Sequence, residues 1–486
     1  MSTSAASHTL AFLDARHRAT PGARRVLTRD EALALADTVL GFSKLPLPGL
    51  RLQHRVITTV RITRNHHVAC VEHDLLSLNF PTKIGSDIRV SIGTNVRDLA
   101  MLRRVMEHAQ TCATPLPLPT ADDTPDPVEA PKVRSYLPVA LWRDGTQHAM
   151  DILNGDTVAN LVRPLQQSSL LCAATILLMT RVVLHRPVGG QAVWGEETDS
   201  EVTVSARTPD GKASGWSGQA HRDFTRIDPA RVAHDAIEMA QRMRGAVRVE
   251  PGRYTTILGP AAVGALVSAL EFAFDAEGLG PFAAGPPTRI GHRVLDPRIT
   301  LTTDPMDPEG GEFPFFDDGY AAYPSGKATW VEQGILRQLG YGSPYAALNA
   351  GKFPIKAPAA LHMSGGPTSI EEMIAQCERG LYVHRLSGVD VVDPASASMT
   401  GTTRDGCFLI KQGKIATPVT NLRFYQSPAL AFNRVLALGA PERASFGLTP
   451  PSLGNRDTWG TWPHAPIIVP PMMVEDFNFS SMTDAV

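Results

Sequence analysis

The stretch PGRYTTILGPAAVGALVSALEFAF, residues 251–274, joins a short strand to an apolar helix. Its β-branched run RYTTILG is typical of a buried strand. The residues that follow, from Ala261 to Glu277, predict one helix, since their apolar side chains recur at helical spacing. This stretch therefore opens a unit in which a central helix follows a strand.

Downstream of the helix, the sequence is mainly β. The segments RVLDPRITL, GCFLIKQGKI and TPVTNLRFY are strand-like and are separated by Gly and Pro turns. We expect a β-rich carboxyl-terminal domain over residues 251–475, followed by a polar, frayed tail over residues 476–486.

Upstream, alternating and β-branched segments between Arg55 and Val90 precede a predicted helix, which indicates an amino-terminal α+β domain over residues 1–112. Six prolines crowd the next stretch, and residues 113–131 are predicted to be a Pro-rich linker. A middle α+β region over residues 132–250 follows, with a helix that Asp228 caps and Pro229 begins. The predicted fold class is α+β.

Charge and composition exclude several functions. Lys and Arg number 46 against 48 Asp and Glu, so the formal net charge of −2 gives no field that would attract nucleic acid. The five cysteines form no C-x-x-C pair and are expected to be reduced. The most apolar run, residues 170–184, contains Arg181 and is shorter than the ~20 residues of a membrane span. With no secretory signal visible at the amino terminus, we expect a cytoplasmic protein without membrane contact.

Local groups of possible metal ligands are incomplete. Strand alternation separates His67 and His73 from His66 and Cys70, which leaves two ligands on each face. The acidic segment from Asp304 to Asp318 lacks the ligand spacing of a calcium loop and is expected to be a solvated loop. The sequence also contains no G-x-S-x-G elbow and no phosphate-binding glycine loop. We therefore predict no metal ligand and assign no catalytic residue.

The predicted central helix carries three polar residues at positions i, i+3 and i+7, namely Ser268, Glu271 and Asp275. At this spacing their side chains project from one face of a helix. That face either meets solvent or a neighbouring subunit, or contacts a substrate. We retain all three as candidate substrate-facing residues.

Several segments together resemble the TldD/TldE family, whose TldE member is also called PmbA and whose proteins are known as modulators of DNA gyrase. They occur in order along nearly the whole chain. Besides PGRYTTILGPAAVGALV, they are VSIGTNVRDLAMLRRVMEHA, TVSARTPDGKASGW, LDPRITLTTDP, FFDDGYAAYPSGKATWVEQGILRQL and DGCFLIKQGKIATPVTNL. The resemblance implies a metallopeptidase-related fold that serves proteolysis.

In the family, TldD-type members carry H-E-x-x-x-H on the central helix, and a cysteine near the carboxyl end completes the metal site. Here Ser268, Ala269 and Ala273 occupy the positions of the two histidines and the glutamate. The segment TPPSLGNRDTWGTWP near the end has no cysteine, and the last cysteine is Cys407. The resemblance therefore implies the TldE type, with no zinc cofactor.

Three functional hypotheses follow. The first is a non-catalytic, peptide-binding subunit that pairs with a TldD-type chain, or with itself, around a peptide substrate. The second is a divergent enzyme of a biosynthetic pathway that keeps the fold and uses a new site, including Glu271 and Asp275. The third is a stand-alone peptide-binding scaffold with a degenerate active site.

Overall fold

The structure is a computed structural model that describes residues 24–43, 49–84, 88–94, 98–113, 136–152, 156–188, 190–276, 278, 280–282, 289–317, 322–341, 355–445 and 465–483. Its helices are α1 (Arg29–Leu40), α2 (Leu99–Ala113), α3 (Asp144–Ile152), α4 (Asp156–Gln167), α5 (Pro229–Arg242), α6 (Pro260–Ala269), α7 (Ile370–Gln376) and α8 (Pro428–Ala431). The strands before residue 250 are β1 (Gly49–Thr63), β2 (His67–Ile84), β3 (Ile88–Thr94), β4 (Leu171–Pro187), β5 (Val193–Arg207) and β6 (Ser214–His221).

The strands after residue 250 vary widely in length. They are β7 (Gly252–Leu258), β8 (Leu301–Thr303), β9 (Phe315–Asp317), β10 (Ala322–Pro324), β11 (Ala328–Glu332), β12 (Ile335–Leu336), β13 (Leu361–Met363), β14 (Arg379–Asp393), β15 (Ser398–Lys411), β16 (Lys414–Pro418), β17 (Leu422–Gln426), β18 (Val435–Leu438), β19 (Glu442–Arg443), β20 (Ile467–Val469) and β21 (Met472–Met482). The predicted α+β class, with a β-rich carboxyl-terminal region around a central helix, is confirmed.

The strands of the amino-terminal half form one antiparallel sheet in the order β3-β2-β1-β4-β5-β6. Strand β1 pairs along its length with β2 on one side and with β4 on the other. Strands from both sides of the predicted linker thus share a sheet. The predicted division between a domain at 1–112 and a region at 132–250 is wrong as a description of this fold, because neither strand set is a complete sheet by itself. Apart from Ala113, which ends α2, the linker itself lies outside the described residues.

Helices cover one face of this sheet. Leu161 and Leu165 of α4 and the alanine-rich stripe of α5 pack on Val56 and Val60 of β1 in a common core. Helix α5 begins as the sequence predicts, since the Asp228 carboxylate accepts hydrogen bonds from the N–H groups of Ala230 and Arg231. The opposite face of the sheet is left to meet the carboxyl-terminal half.

The carboxyl-terminal half packs two sheets around α6. One sheet runs β14-β7-β21-β17-β15-β16, with β18 also pairing with β21, and the other runs β12-β11-β8-β13-β20-β19. The large apolar core between them includes Leu266, Trp330 and Phe424, all at most 1% exposed. The predicted tail is wrong for residues 476–482, which belong to β21. Phe477 and Phe479 anchor them, because both rings are buried in this core.

In the part of the chain that the structure describes, no helix has the length and apolarity needed to cross a membrane.

Candidate functional site

The central helix is shorter than the sequence predicts. Helix α6 ends at Ala269, and a 3₁₀ turn over Glu271–Phe274 follows instead of the helix expected to reach Glu277. The backbone leaves helical geometry because Gly340 pairs with this turn: its N–H donates to Phe274 O at 2.7 Å, and its carbonyl accepts from Ala276 N at 2.8 Å. This bridge draws Asp275 into extended backbone.

The three candidate substrate-facing residues therefore do not share one helical face, and that prediction is wrong. Ser268 lies on α6 and is buried at 6% exposure, Glu271 opens the 3₁₀ turn, and Asp275 is extended. The spacing of 100° per residue that would align them applies only within an α-helix.

The three positions that the resemblance aligns with the family's metal motif offer no ligand set. Ser268, Ala269 and Ala273 are 6%, 1% and 0% exposed. Zinc requires nitrogen, sulfur or carboxylate donors, and two of these side chains end in methyl groups. A zinc ion therefore does not fit these residues. Elsewhere among the described residues, no three His, Cys, Asp or Glu side chains are grouped so as to hold a metal ion.

Next to the predicted histidine group, Asn65 has a structural role. Its amide donates to Leu165 O and Leu170 O at 2.7 and 2.8 Å, and its carbonyl accepts from Cys172 N at 2.6 Å. These bonds hold it in left-handed backbone at φ 67°, an unusual conformation for a residue other than glycine. The side chain of His67 lies outside the described residues.

Glu271 lies in a charged environment. Burial raises the pKa of its carboxyl to about 7; the positive charge of Lys356 opposes this shift and the negative charge of Glu312 adds to it. A carboxyl that titrates near neutral pH can hold or release a proton under physiological conditions, which is typical of functional sites.

Glu312 connects Glu271 to the amino-terminal sheet. Burial raises its pKa, the positive charge of Lys356 lowers it, and Glu197 on β5 raises it again. Glu312 is only partly exposed, so the prediction of a solvated loop is wrong at this position. The three carboxyl groups of Glu271, Glu312 and Glu197 form an electrostatic chain from the central helix to the sheet. We call this group of residues, together with Lys356 and Arg181, the charged cleft.

A row of charged residues crosses the cleft side of the amino-terminal sheet. Arg55 on β1 pairs with Arg181 on β4, which pairs with Glu197 on β5, so the three side chains share one face. Arg181 Nε donates to Glu197 Oε1 at 2.7 Å, and Arg222 Nη1 donates to Oε2 at 3.2 Å. Burial by itself would raise the pKa of Glu197, but the two guanidinium groups outweigh it and lower the pKa.

Two arginines also fix a carboxyl-terminal segment against this row. The Arg222 side chain is 1% exposed and donates through Nη2 to the carbonyl of Gly311. The Arg181 guanidinium lies 5.0 Å from the centroid of the Phe313 ring, within the range of cation–π attraction. Glu312 stands between these two anchors. Contacts between the two halves of the chain therefore hold the residues on both sides of Glu312.

Sequence reasoning missed most of this cleft, although part of it left a signal. Arg181 interrupts the most apolar run, and charged residues inside a strand that is otherwise buried need partners. The acidic stretch GEETDSE in β5 supplies one of them, Glu197. Glu312 and Lys356 had no comparable signal, because they are far from β5 along the chain.

Chemically, the charged cleft combines carboxyl groups with the cations Arg181 and Lys356. Carboxyl groups accept hydrogen bonds from peptide N–H groups and amines, whereas guanidinium and ammonium groups donate to carbonyls and carboxylates. This arrangement suits polar contacts to a peptide chain.

The carboxyl-terminal half of the chain matches a protein-family model. Residues 251–481 match the PmbA/TldA metallopeptidase C-terminal domain. Among curated proteins, a metalloprotease of Archaeoglobus fulgidus is 25% identical over 201 residues, which cover 39% of this chain and 46% of the relative. A metalloprotease TldD homolog of Buchnera aphidicola is 23% identical over 263 residues, 49% of this chain and 53% of the relative. The chain thus spans about half the length of the curated relatives it matches.

Solved structures show the same fold over most of the chain. A protein of Bacteroides thetaiotaomicron described as a modulator of DNA gyrase superposes with a TM-score of 0.74 at 16% identity and covers 94% of this chain and 100% of its own. TldE from Thermococcus kodakarensis gives a TM-score of 0.69 at 16% identity, covering 92% and 99%. The resemblance predicted from the sequence is confirmed, since residues 251–481 match the PmbA/TldA metallopeptidase C-terminal domain and the solved structures with this fold include TldE and a modulator of DNA gyrase.

Proposed function

We propose that this chain is the peptide-binding, non-catalytic subunit of a TldD/TldE-type complex, and that a TldD-type partner supplies the metal. The observation that carries this proposal is that Ser268, Ala269 and Ala273, which the resemblance places at the family's metal-ligand positions, are small and buried. The family match supports the link to peptide processing. The donor chemistry supports a role that does not hydrolyse peptides by itself.

The charged cleft supports the peptide as ligand. An extended peptide carries an N–H and a carbonyl at every residue, and it can add to sheets as a further strand. Glu271 and Glu312 can accept from its N–H groups, while Lys356 can donate to its carbonyls. The free cysteines among the described residues, Cys70, Cys172, Cys377 and Cys407, are consistent with the cytoplasm as the compartment we propose.

The decisive experiment compares the chain alone, a cognate TldD-type protein alone, and the mixture. Zinc is measured by mass spectrometry and cleavage of an unfolded peptide by chromatography, while light scattering gives the mass of any complex. We expect zinc and cleavage only with the partner, and a mixed complex rather than a self-dimer. Stoichiometric zinc on the isolated chain, or cleavage by it, would overturn the proposal. Tight peptide binding with no complex at all would favour the stand-alone scaffold.

A binding variant tests the role of the cleft. Lys356→Gln removes an exposed cleft cation, and Lys414→Gln removes an exposed lysine of β16 as the matched control. Loss of one charged hydrogen bond is expected to weaken peptide binding about tenfold in the first variant. The control should bind as the unaltered chain does. Equal affinities in both variants would place the peptide elsewhere.

One observation favours the second candidate function, an enzyme with a new site. Glu271 has a pKa of about 7, which suits a general acid or base. If the chain makes a product without a partner, Glu271→Gln should abolish its formation while the fold is retained. The control Glu378→Gln alters an exposed carboxyl and should leave product formation unchanged. Unaltered product in the Glu271 variant would exclude this role.

A further inference from the structure

A second pocket opens on the sheet β12-β11-β8-β13-β20-β19, apart from the residues of the charged cleft. Its volume is about 330 Å³. The side chains that matter for its chemistry are Thr302, Asp304, Asp307, Lys327 and His362, and Gly310 completes the wall. Pockets that bind small molecules begin at about this volume.

The floor of this second pocket is regular β structure. Thr302 on β8 pairs directly with His362 on β13, and His362 pairs in turn with Ile468 on β20. Directly paired residues place their side chains on the same face of a sheet. The hydroxyl of Thr302 and the imidazole of His362 are therefore held side by side on a rigid surface.

Both signs of charge line the pocket. Lys327 Nζ lies 3.1 Å from Asp304 Oδ2, and His362 Nδ1 lies 3.8 Å from Asp307 Oδ2. The lysine side chain is 70% exposed and the histidine side chain 44%. Ion pairs this open to water contribute little to stability, so a ligand can replace either partner at small cost.

The carboxylates keep their orientation without these cations. Asp304 Oδ1 accepts from Met306 N at 3.0 Å, and Asp307 Oδ1 accepts from Glu309 N at 2.9 Å. In each aspartate the second oxygen faces an exposed cation, Lys327 or His362, and can exchange that partner for a ligand. A ligand therefore meets acceptors that the backbone has already positioned, which reduces the entropy lost on binding.

The loop that forms the wall is fixed from outside. Arg143 Nη2 donates to Pro308 O at 3.0 Å, and His221 Nε2 lies 3.1 Å from Glu309 Oε2. A Cβ atom at Gly310 would lie 2.8 Å from Ile468 Cδ1 and 2.9 Å from Asp307 Oδ2, so a larger residue here would displace these two side-chain ends. The pocket is thus pre-formed.

We propose that this second pocket binds a zwitterion that carries one ammonium and one carboxylate group: a free α-amino acid, or a short peptide with both ends free. The ammonium group is held by Asp304 and Asp307, and the carboxylate by Lys327 and the Thr302 hydroxyl, with His362 adding a donor. Two carboxylates facing one lysine and one histidine leave no large net charge. A ligand of zero net charge and opposite ends fits this lining better than an anion or a cation.

Calorimetric titration of the full chain tests the proposal with four probes. Alanine and trialanine carry both charges, N-acetylalanine lacks the ammonium group, and alaninamide lacks the carboxylate. We expect a zwitterion to bind, each singly charged probe to bind at least about tenfold more weakly, and the tighter of alanine and trialanine to identify the source of the ligand.

Variants link binding to the pocket. Lys327→Gln and Asp307→Asn should each weaken zwitterion binding about tenfold, whereas Lys414→Gln and Asp390→Asn, at exposed positions elsewhere, should not. Circular dichroism checks that the fold is retained. The proposal is overturned if no zwitterion binds, if a singly charged probe binds equally well, or if the pocket variants bind as their controls do. None of these outcomes bears on the zinc content of the chain or on its binding to a partner subunit.

Discussion

Arg443 and Asp199 form a two-bond ion pair that joins the carboxyl-terminal half of the chain to the amino-terminal sheet. Arg443 Nη2 lies 2.8 Å from Asp199 Oδ1 and 2.7 Å from Oδ2, and the two side chains are 11% and 3% exposed. Next to it, the Ser445 hydroxyl donates to Glu201. These two contacts therefore fix the carboxyl-terminal half of the chain against the amino-terminal sheet beside the charged cleft.

Removing one partner of this pair should destabilise the chain. Asp199→Asn leaves the Arg443 guanidinium buried without its counter-charge, and we expect the free energy of unfolding to fall by about 3 kcal/mol. Urea denaturation measures the change. A double-mutant cycle with Arg443→Gln should recover part of the loss, since the second change removes the uncompensated charge. A loss below about 0.5 kcal/mol, typical of surface positions, would show that the pair is not buried in solution.

Glu271 should make the chain less stable as pH rises. Between pH 4.5 and about 7 the folded chain keeps the proton that the unfolded chain has released, so the free energy of unfolding falls through this window. Glu271→Gln removes the titrating group. We therefore compare the free energy of unfolding of the variant with that of the unaltered chain at each pH. The difference should favour the variant by about 2 kcal/mol more at pH 8 than at pH 4, a value that allows for the partial exposure of Glu271.

The measurement is urea denaturation at several pH values, and Glu378→Gln serves as the control because its carboxyl is exposed. That variant should follow the curve of the unaltered chain. If Glu271→Gln also follows it, the carboxyl is ionised at neutral pH and the burial argument fails.

Restoring one histidine of the family motif should harm the fold rather than recover zinc. Ala273 is fully buried in the 3₁₀ turn, so Ala273→His overpacks the core and buries a polar ring. We expect the free energy of unfolding to fall by about 2 kcal/mol, and we expect the variant to bind no zinc. Ala375→His, at an exposed position of α7, is the control for the substitution itself. Zinc retained by the Ala273 variant would contradict the assignment of these positions.

Gly215 on β6 lies directly against the backbone of α5. A Cβ atom at Gly215 would lie 2.2 Å from Ala240 N and 2.4 Å from Ala236 O, which are backbone atoms that cannot rotate away. Gly215→Ala should therefore lower the midpoint of thermal unfolding and reduce the free energy of unfolding by about 3 kcal/mol. At Gly326 an added Cβ atom meets nothing within 4 Å, so Gly326→Ala should be nearly neutral. Equal midpoints would mean that the helix can move off the strand.

The sequence by itself determined the local elements and the missing chemistry. The strand and helix around Pro260 follow from apolar spacing, and the start of α5 follows from Asp228 and Pro229, since these preferences act within a few residues. The lack of donor groups at Ala269 and Ala273 is equally visible in the sequence, because no fold can add a ligand atom to a methyl group.

The tertiary structure decided which distant residues meet. The end of α6 at Ala269 depends on a bridge to Gly340, and the pKa of Glu271 depends on burial and on Lys356 and Glu312. The pairing of β1 with β4 across the linker likewise joins residues that are more than one hundred positions apart. Contacts of this kind depend on how whole sheets pack, and local sequence preference carries no record of them.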